Sequence, residues 1–157
     1  MPTSATCKIA LFALLATPLA LAGQAPKAGN SPADAVTQFM RAISDSNLTR
    51  VAQLFGNSDG PAFRTHNPKD YEKRIMAMQL FLRHVEVKTL GDMPADKGKG
   101  RTVTAQLSHG ACRVTISIGV MHAHEGWLVN NFDLDRASQI NRPCEANSGG
   151  TGGGNLN

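Results

Sequence analysis

The sequence predicts an α+β domain in which N-terminal helices pack on an antiparallel sheet of about four strands. Two observations lead to this class. Apolar residues recur with helical spacing from Val36 to Leu82, and from Val85 onward they alternate with polar residues. Alternation is the period of a half-buried strand. Helices followed by a strand meander are typical of a sheet that is covered on one face.

The first two helices are predicted from their caps. Ser31 offers a hydroxyl N-cap, followed by Pro32 and by an acid at Asp34. The buried face of this helix consists of Val36, Phe39, Met40 and Ile43. Asn47 caps a second, short helix that ends at Gly56. Its apolar residues are Leu48, Val51, Leu54 and Phe55.

A third helix follows a turn-rich stretch at residues 57–66. Asn67, Pro68 and Asp70 repeat the order of cap, proline and acid, so we expect a helix from Pro68 to about His84. Its apolar stripe consists of Tyr71, Ile75, Met78 and Leu82, widened by Met76, Leu80 and Phe81. A broad stripe suits a helix that lies across a sheet.

The strands follow from the change of period. The first opens at Val85 and Val87, and residues 91–100 form a polar connection to the second. The inward residues of the second strand are Val103, Ala105 and Leu107. After a turn at residues 109–111, the third strand places on one face Val114, Ile116, Ile118, Val120 and His122. The last strand, residues 127–133, begins with Trp127, which we expect to be at least half buried.

Two stretches resemble small secreted members of the nuclear transport factor 2-like superfamily. They are PADAVTQFMRAISDSNLTRVAQLF at residues 32–55 and EGWLVNNFDL at residues 125–134. The resemblance extends over residues 31–136. It implies a cone-shaped fold whose curved sheet and helices enclose a pocket, and that superfamily includes both enzymes and non-catalytic binders.

Residues 1–22 have the pattern of an export signal. Lys8 gives a positive start, residues 9–22 are apolar, and Ala20 and Ala22 are the small residues that a signal peptidase requires. This apolar stretch is shorter than the roughly 20 residues of a membrane-spanning helix. We therefore expect cleavage after Ala22, a secreted or periplasmic protein, and no transmembrane span in the mature chain.

The mature chain divides into three parts by composition. Residues 23–30 form a flexible spacer, residues 31–144 a single domain, and residues 145–157 a disordered glycine-rich tail. Cys7 is removed with the signal, so Cys112 and Cys144 are expected to form a disulfide in an oxidising compartment. Two free cysteines or one intermolecular bridge are the alternatives.

Histidines are the candidates for chemistry. His66 and His122 are potential general bases because imidazole exchanges protons near neutral pH. His122 and His124 on one strand face could hold a metal if a third ligand approached, such as His109, His66 or Glu125. We expect a structural role for the pair instead, and neither a metal nor a cofactor.

The leading hypothesis for function is a non-catalytic binding module for a small apolar ligand or a protein partner of the cell envelope. The residues expected to line its pocket are Tyr71, Met78, Ile116, Ile118, Val120 and His122. The alternatives are an isomerase- or dehydratase-like enzyme that uses a pocket histidine, and an accessory scaffold of an envelope assembly. The formal charge of +4 comes from dispersed basic residues, which argues against nucleic-acid binding. The pattern allows a dimer.

Mass spectrometry of the exported protein tests the sequence predictions of processing and oxidation. We expect a mature chain that begins at Gly23 and that is lighter than the reduced chain by two hydrogen atoms, because oxidation joins Cys112 to Cys144. Alkylation of both thiols without prior reduction would contradict the disulfide.

Overall fold

The computed structural model describes residues 28–95 and 100–142. Its main sheet has four antiparallel strands, Glu86–Pro94, Gly100–His109, Cys112–Ala123 and Gly126–Phe132, and each strand pairs with the next along the chain. The helix Pro32–Ser44 contacts all four of these strands. The predicted α+β class, with helices before a four-stranded antiparallel sheet, is confirmed.

The helices are α1 (Pro32–Ser44), α2 (Leu48–Leu54), α3 (Ala62–Thr65), α4 (Tyr71–Leu82) and α5 (Leu134–Ser138), the last followed by a 3-10 turn at Gln139–Asn141. The strands are β1 (Gly56–Asn57), β2 (Gly60–Pro61), β3 (Glu86–Pro94), β4 (Gly100–His109), β5 (Cys112–Ala123) and β6 (Gly126–Phe132). Among the described residues, every helix is too short or too polar to cross a membrane.

The caps of α1 and α2 form as predicted. The Ser31 hydroxyl accepts a hydrogen bond from the Asp34 amide at 3.1 Å, and the Asn47 side chain accepts one from the Arg50 amide at 3.0 Å. The predicted inner face of α1 is fully buried. Leu48, expected on the buried face of α2, is instead 43% exposed because it lies in the first turn, at the edge of that face.

Helix α4 is shorter and narrower than predicted. It begins at Tyr71 rather than Pro68, because the Pro68 carbonyl accepts a hydrogen bond from the Tyr71 amide and closes a separate turn. It ends at Leu82, before His84. The central stripe is buried as expected: Tyr71, Ile75, Met78 and Leu82. The predicted widening of the stripe is wrong, since Met76, Leu80 and Phe81 are 63%, 76% and 37% exposed.

The turn-rich segment before α4 contains the small β1–β2 hairpin and α3. Gly60 has φ +128°, and a Cβ there would lie 2.4 Å from Nη2 of Arg64. Arg64 forms an ion pair with Glu125 in the turn between β5 and β6. Glycine at position 60 therefore leaves room for the contact that joins α3 to the sheet.

Strand β3 continues through the first part of the predicted polar connection. It runs to Pro94, with a register shift at Leu90 and an ion pair between Asp92 and Arg101 of β4. The prediction of a loop from residue 91 is wrong because β3 is an edge strand. Its outer residues face solvent, and the polar sequence is therefore compatible with strand pairing.

The chain before α1 is part of the fold from residue 28 onward. Gly29 and Trp127 exchange two backbone hydrogen bonds, of 3.0 and 2.9 Å. Ala28 is buried against Ala123 and Leu128. The predicted flexible spacer therefore does not include its last three residues. The predictions for residues 1–27, for Cys144 and for the tail at residues 145–157 lie outside the described residues.

Trp127 is partly buried against the main core, which confirms the expected burial. Its ring makes an edge contact with His122, at a centroid distance of 5.0 Å. We expect Trp127→Ala to lower the free energy of unfolding by about 3 kcal/mol, because truncating a packed aromatic side chain leaves a cavity. Urea denaturation measures this change.

Phe63→Ala is the matched control for this experiment, because the Phe63 side chain is 44% exposed. It should change the free energy of unfolding by less than about 1 kcal/mol. If Trp127→Ala were equally mild, the packing of the β6 end would be misassigned.

Candidate functional site

A cleft of about 280 Å³ lies between α4 and β6. Its walls come from the residue that follows α2, the middle of α4, the end of β6 and the start of α5. The lining residues are Phe55, Lys73, Arg74, Ala77, Met78, Asn130, Asn131, Phe132 and Leu134. One part of this set is apolar and the other is cationic or amidic, so the cleft has two chemically distinct parts.

The apolar part is anchored on α1. Phe39 is fully buried, and its ring lies 6.3 Å from Phe55 and 6.2 Å from Phe132, measured between centroids. Such tilted pairs are a favourable arrangement of aromatic rings. Phe55 also forms a backbone bridge with Val129 of β6. The floor of the cleft is therefore held in place by the main core.

The cationic part comes from consecutive residues of α4. The Nε atom of Arg74 lies 3.0 Å from a carboxylate oxygen of Asp70, one turn earlier. Lys73 is exposed, and within residues 28–95 and 100–142 no carboxylate forms an ion pair with it. Its ammonium group is thus available to an anion that enters the cleft.

The amide part depends on a β-bulge. Gly119 pairs with Asn131 and Val120 pairs with Val129, so Asn130 is an extra residue in β6. A Cβ at Gly119 would lie 2.7 Å from Oδ1 of Asn130 and 3.0 Å from Cβ of Asn131. The glycine therefore makes room for both asparagines. Bulges often redirect side chains next to functional sites.

The structure separates the ligand-binding residues that were predicted from the sequence. Met78 lines the cleft between α4 and β6. Ile116, Ile118 and Val120 are buried in the main core instead, because the helices cover this part of β5. They contribute to the support of the fold and not to the lining of this cleft.

Tyr71 lies in a different groove, between α2 and α4. Its hydroxyl donates a hydrogen bond to Oε1 of Glu72 at 3.2 Å. The pKa of Tyr71 is raised, first by burial and then by the hydrogen bond and negative charge of Glu72. The hydroxyl therefore stays protonated at neutral pH.

The two candidate general bases are not brought together. His66 is exposed at the end of α3, where its backbone is left-handed with φ 51°, and its ring lies 6.0 Å from that of Tyr71. His122 is exposed to solvent, and its ring contacts that of Trp127. Neither histidine lines the cleft between α4 and β6.

His122 and His124 also lack the strand geometry that a shared metal ion would require. Strand β5 ends at Ala123, so His124 lies in the turn and the alternation that would align it with His122 stops. Within the described residues, no three histidine, cysteine or acidic side chains form a group that could hold a metal ion. Burial raises the pKa of Glu125, but the hydrogen bond and charge of Arg64 outweigh this effect and lower it overall.

Sequence reasoning missed the polar residues of the cleft. The consecutive asparagines Asn130 and Asn131 interrupt the apolar residues of the last strand, and such a break is the available signal for a bulge. Lys73 and Arg74 stand between two residues of the buried stripe of α4 and carry no comparable signal.

Comparison with known proteins gives little similarity. No family model and no curated protein matches the chain. One solved structure resembles it, a protein of unknown function with a cystatin-like fold from Nostoc punctiforme PCC 73102. The identity is 8% and the TM-score 0.41, over 64% of this chain and 89% of the other.

This finding corrects the resemblance to the nuclear transport factor 2-like superfamily. No family model supports membership of that superfamily. The physical reason lies in the motifs used. Capped helices before an alternating meander identify secondary structure and burial, and many α+β folds with one covered sheet face share both.

Addition of zinc or copper at one equivalent tests the remaining metal hypothesis. We expect an unchanged melting temperature, because the described part of the chain brings no third ligand to His122 and His124, and Glu125 is paired with Arg64. A ligand that binds only the native state would raise the melting temperature by mass action. A rise that disappears in His122→Ala would establish a metal site.

Proposed function

We propose that this chain binds a small amphiphilic molecule with an acidic head, without transforming it, in the cleft between α4 and β6. The observation that carries the proposal is the combination of an apolar floor with an ammonium group that has no carboxylate partner among the described residues. An apolar tail and an anionic head are the two features that such a cleft complements.

The tail would lie on the floor of the cleft. Phe132 is partly exposed and Phe55 is 3% exposed, and contacts with Phe39 fix both rings, so the apolar floor is preformed. Preformed, mostly apolar clefts with few polar groups are typical of small-molecule sites. The volume of about 280 Å³ is at the small end for such sites, which favours a short chain or a single ring.

The head would lie at the polar rim. Lys73 supplies a point charge, and the guanidinium of Arg74 retains donors beyond the Nε atom that faces Asp70. The side-chain amides of Asn130 and Asn131 can donate hydrogen bonds to carboxylate or phosphate oxygens. Charge-assisted hydrogen bonds of this kind are stronger than neutral ones.

The chemistry of the lining favours binding over catalysis. Among its described residues there is no histidine, carboxylate, hydroxyl or thiol, the groups that most often transfer protons or attack a substrate. His66 and His122, the candidates for the enzymatic alternative, lie elsewhere.

We also propose that binding takes place outside the cytoplasm. The export pattern of residues 1–22 supports this compartment. The Sγ atom of Cys112 lies 3.8 Å from the carbonyl oxygen of Arg142, which is two residues before Cys144. This proximity supports the predicted disulfide, which suits an oxidising compartment.

Octanoate and octanol provide a direct test. We expect octanoate to raise the melting temperature and to bind more tightly than octanol, because only octanoate carries a charge that Lys73 can attract. Lys73→Glu should weaken octanoate binding by about tenfold, or ~1.4 kcal/mol, and leave octanol binding nearly unchanged. Isothermal titration calorimetry measures both affinities.

Lys88→Glu is the matched control, because Lys88 is an exposed lysine on β3, outside the cleft. It should leave both affinities unchanged. If neither probe stabilised the protein, or if both lysine variants weakened octanoate equally, the proposed site would be wrong.

A further inference from the structure

The outer face of α4 exposes large apolar side chains. Met76 and Leu80 are 63% and 76% exposed, and Leu48 of α2, 43% exposed, lies beside them. They line a shallow groove of about 670 Å³ between the two helices. Exposed apolar groups that occur singly are common, but a contiguous group indicates an interaction surface.

Charged residues flank this apolar pair in a defined order. Glu72 lies four residues before Met76, and Arg83 lies three residues after Leu80. These spacings place all four side chains on one side of the helix. Glu72 and Arg83 are both exposed, and neither forms an ion pair with another residue in the described part of the chain.

We propose that a second copy of this chain packs on this face, with the two α4 helices antiparallel about a two-fold axis. An axis near the midpoint of Met76 and Leu80 places Met76 against Leu80 of the partner subunit. It also places Glu72 against Arg83 of the partner subunit, and each contact occurs twice. A two-fold interface requires such a self-complementary surface.

The order of the side chains selects this arrangement. Acid, apolar, apolar and base along one helix become base, apolar, apolar and acid along its antiparallel copy, so opposite charges meet at both ends. Parallel helices would place like charges together, which is unfavourable. Antiparallel helices also bring the negative end of one helix dipole near the positive end of the other.

This surface is separate from the proposed ligand site. The groove that contains Met76 and Leu80 shares no lining residue with the cleft between α4 and β6. Loss of dimerisation and loss of ligand binding are therefore distinguishable, because different variants affect them.

Sedimentation velocity of the chain as isolated from cells tests the dimer. We expect a monomer–dimer equilibrium that depends on protein concentration. Leu80→Lys should raise the dimer dissociation constant about tenfold or more, because two charges would enter the apolar centre. Leu80 is 76% exposed, so this substitution opens no cavity in the monomer.

Charge reversal gives the sharper test. Glu72→Arg and Arg83→Glu should each weaken the dimer, because each places like charges opposite one another at both ends. The double variant E72R/R83E should restore the affinity, since opposite charges meet again. Added salt should reduce the effect of each single reversal.

Phe63→Lys is the control for added surface charge, because Phe63 is exposed on α3 and does not line the groove. It should leave the dissociation constant unchanged, and circular dichroism should show the same fold in every variant. A chain that stays monomeric at all concentrations would overturn the dimer. A double variant as weak as the single ones would also overturn it.

Discussion

The packing of α1 across the sheet is the interaction on which the rest of the structure depends. This helix contacts all four strands, and Phe39 at its centre joins the rings of Phe55 and Phe132. Because this one helix buries the inner apolar face of all four strands, its packing stabilises every strand pair of the sheet. The same contact fixes the floor of the cleft. The same aromatic contacts therefore stabilise the core and position the floor of the candidate site.

Helix α4 divides its surface between three environments. Its buried stripe packs against the core, the side with Lys73 and Arg74 lines the cleft, and the side with Met76 and Leu80 faces the groove beside α2. The narrowness of the buried stripe makes this division feasible. Had the stripe been as wide as the sequence predicted, Met76 and Leu80 would have been part of the core and the outer face would have been polar.

Sequence reasoning predicted the secondary-structure elements better than it predicted how they pack against one another. Local chemistry determines the caps at Ser31 and Asn47 and the alternation in β5, so these features are visible in the sequence itself. The start of α4 depends on whether the Pro68 carbonyl closes its own turn, and the exposure of Leu80 depends on what packs nearby. The cleft could not be predicted for the same reason. It joins residues from four elements, and a bulge one residue long decides where two of its amides lie.

The two edges of the sheet have a consequence for association between molecules. Strand β3 is interrupted by a register shift at Leu90 and ends at Pro94. Strand β6 contains the extra residue Asn130, and the backbone N–H and C=O of Trp127 are hydrogen-bonded to Gly29. Each edge thus presents a short and irregular row of hydrogen-bonding groups, and such rows are poor templates for strand addition. Growth of the sheet from one molecule into the next is therefore unfavourable, and crowded molecules of this chain would meet mainly through their side chains.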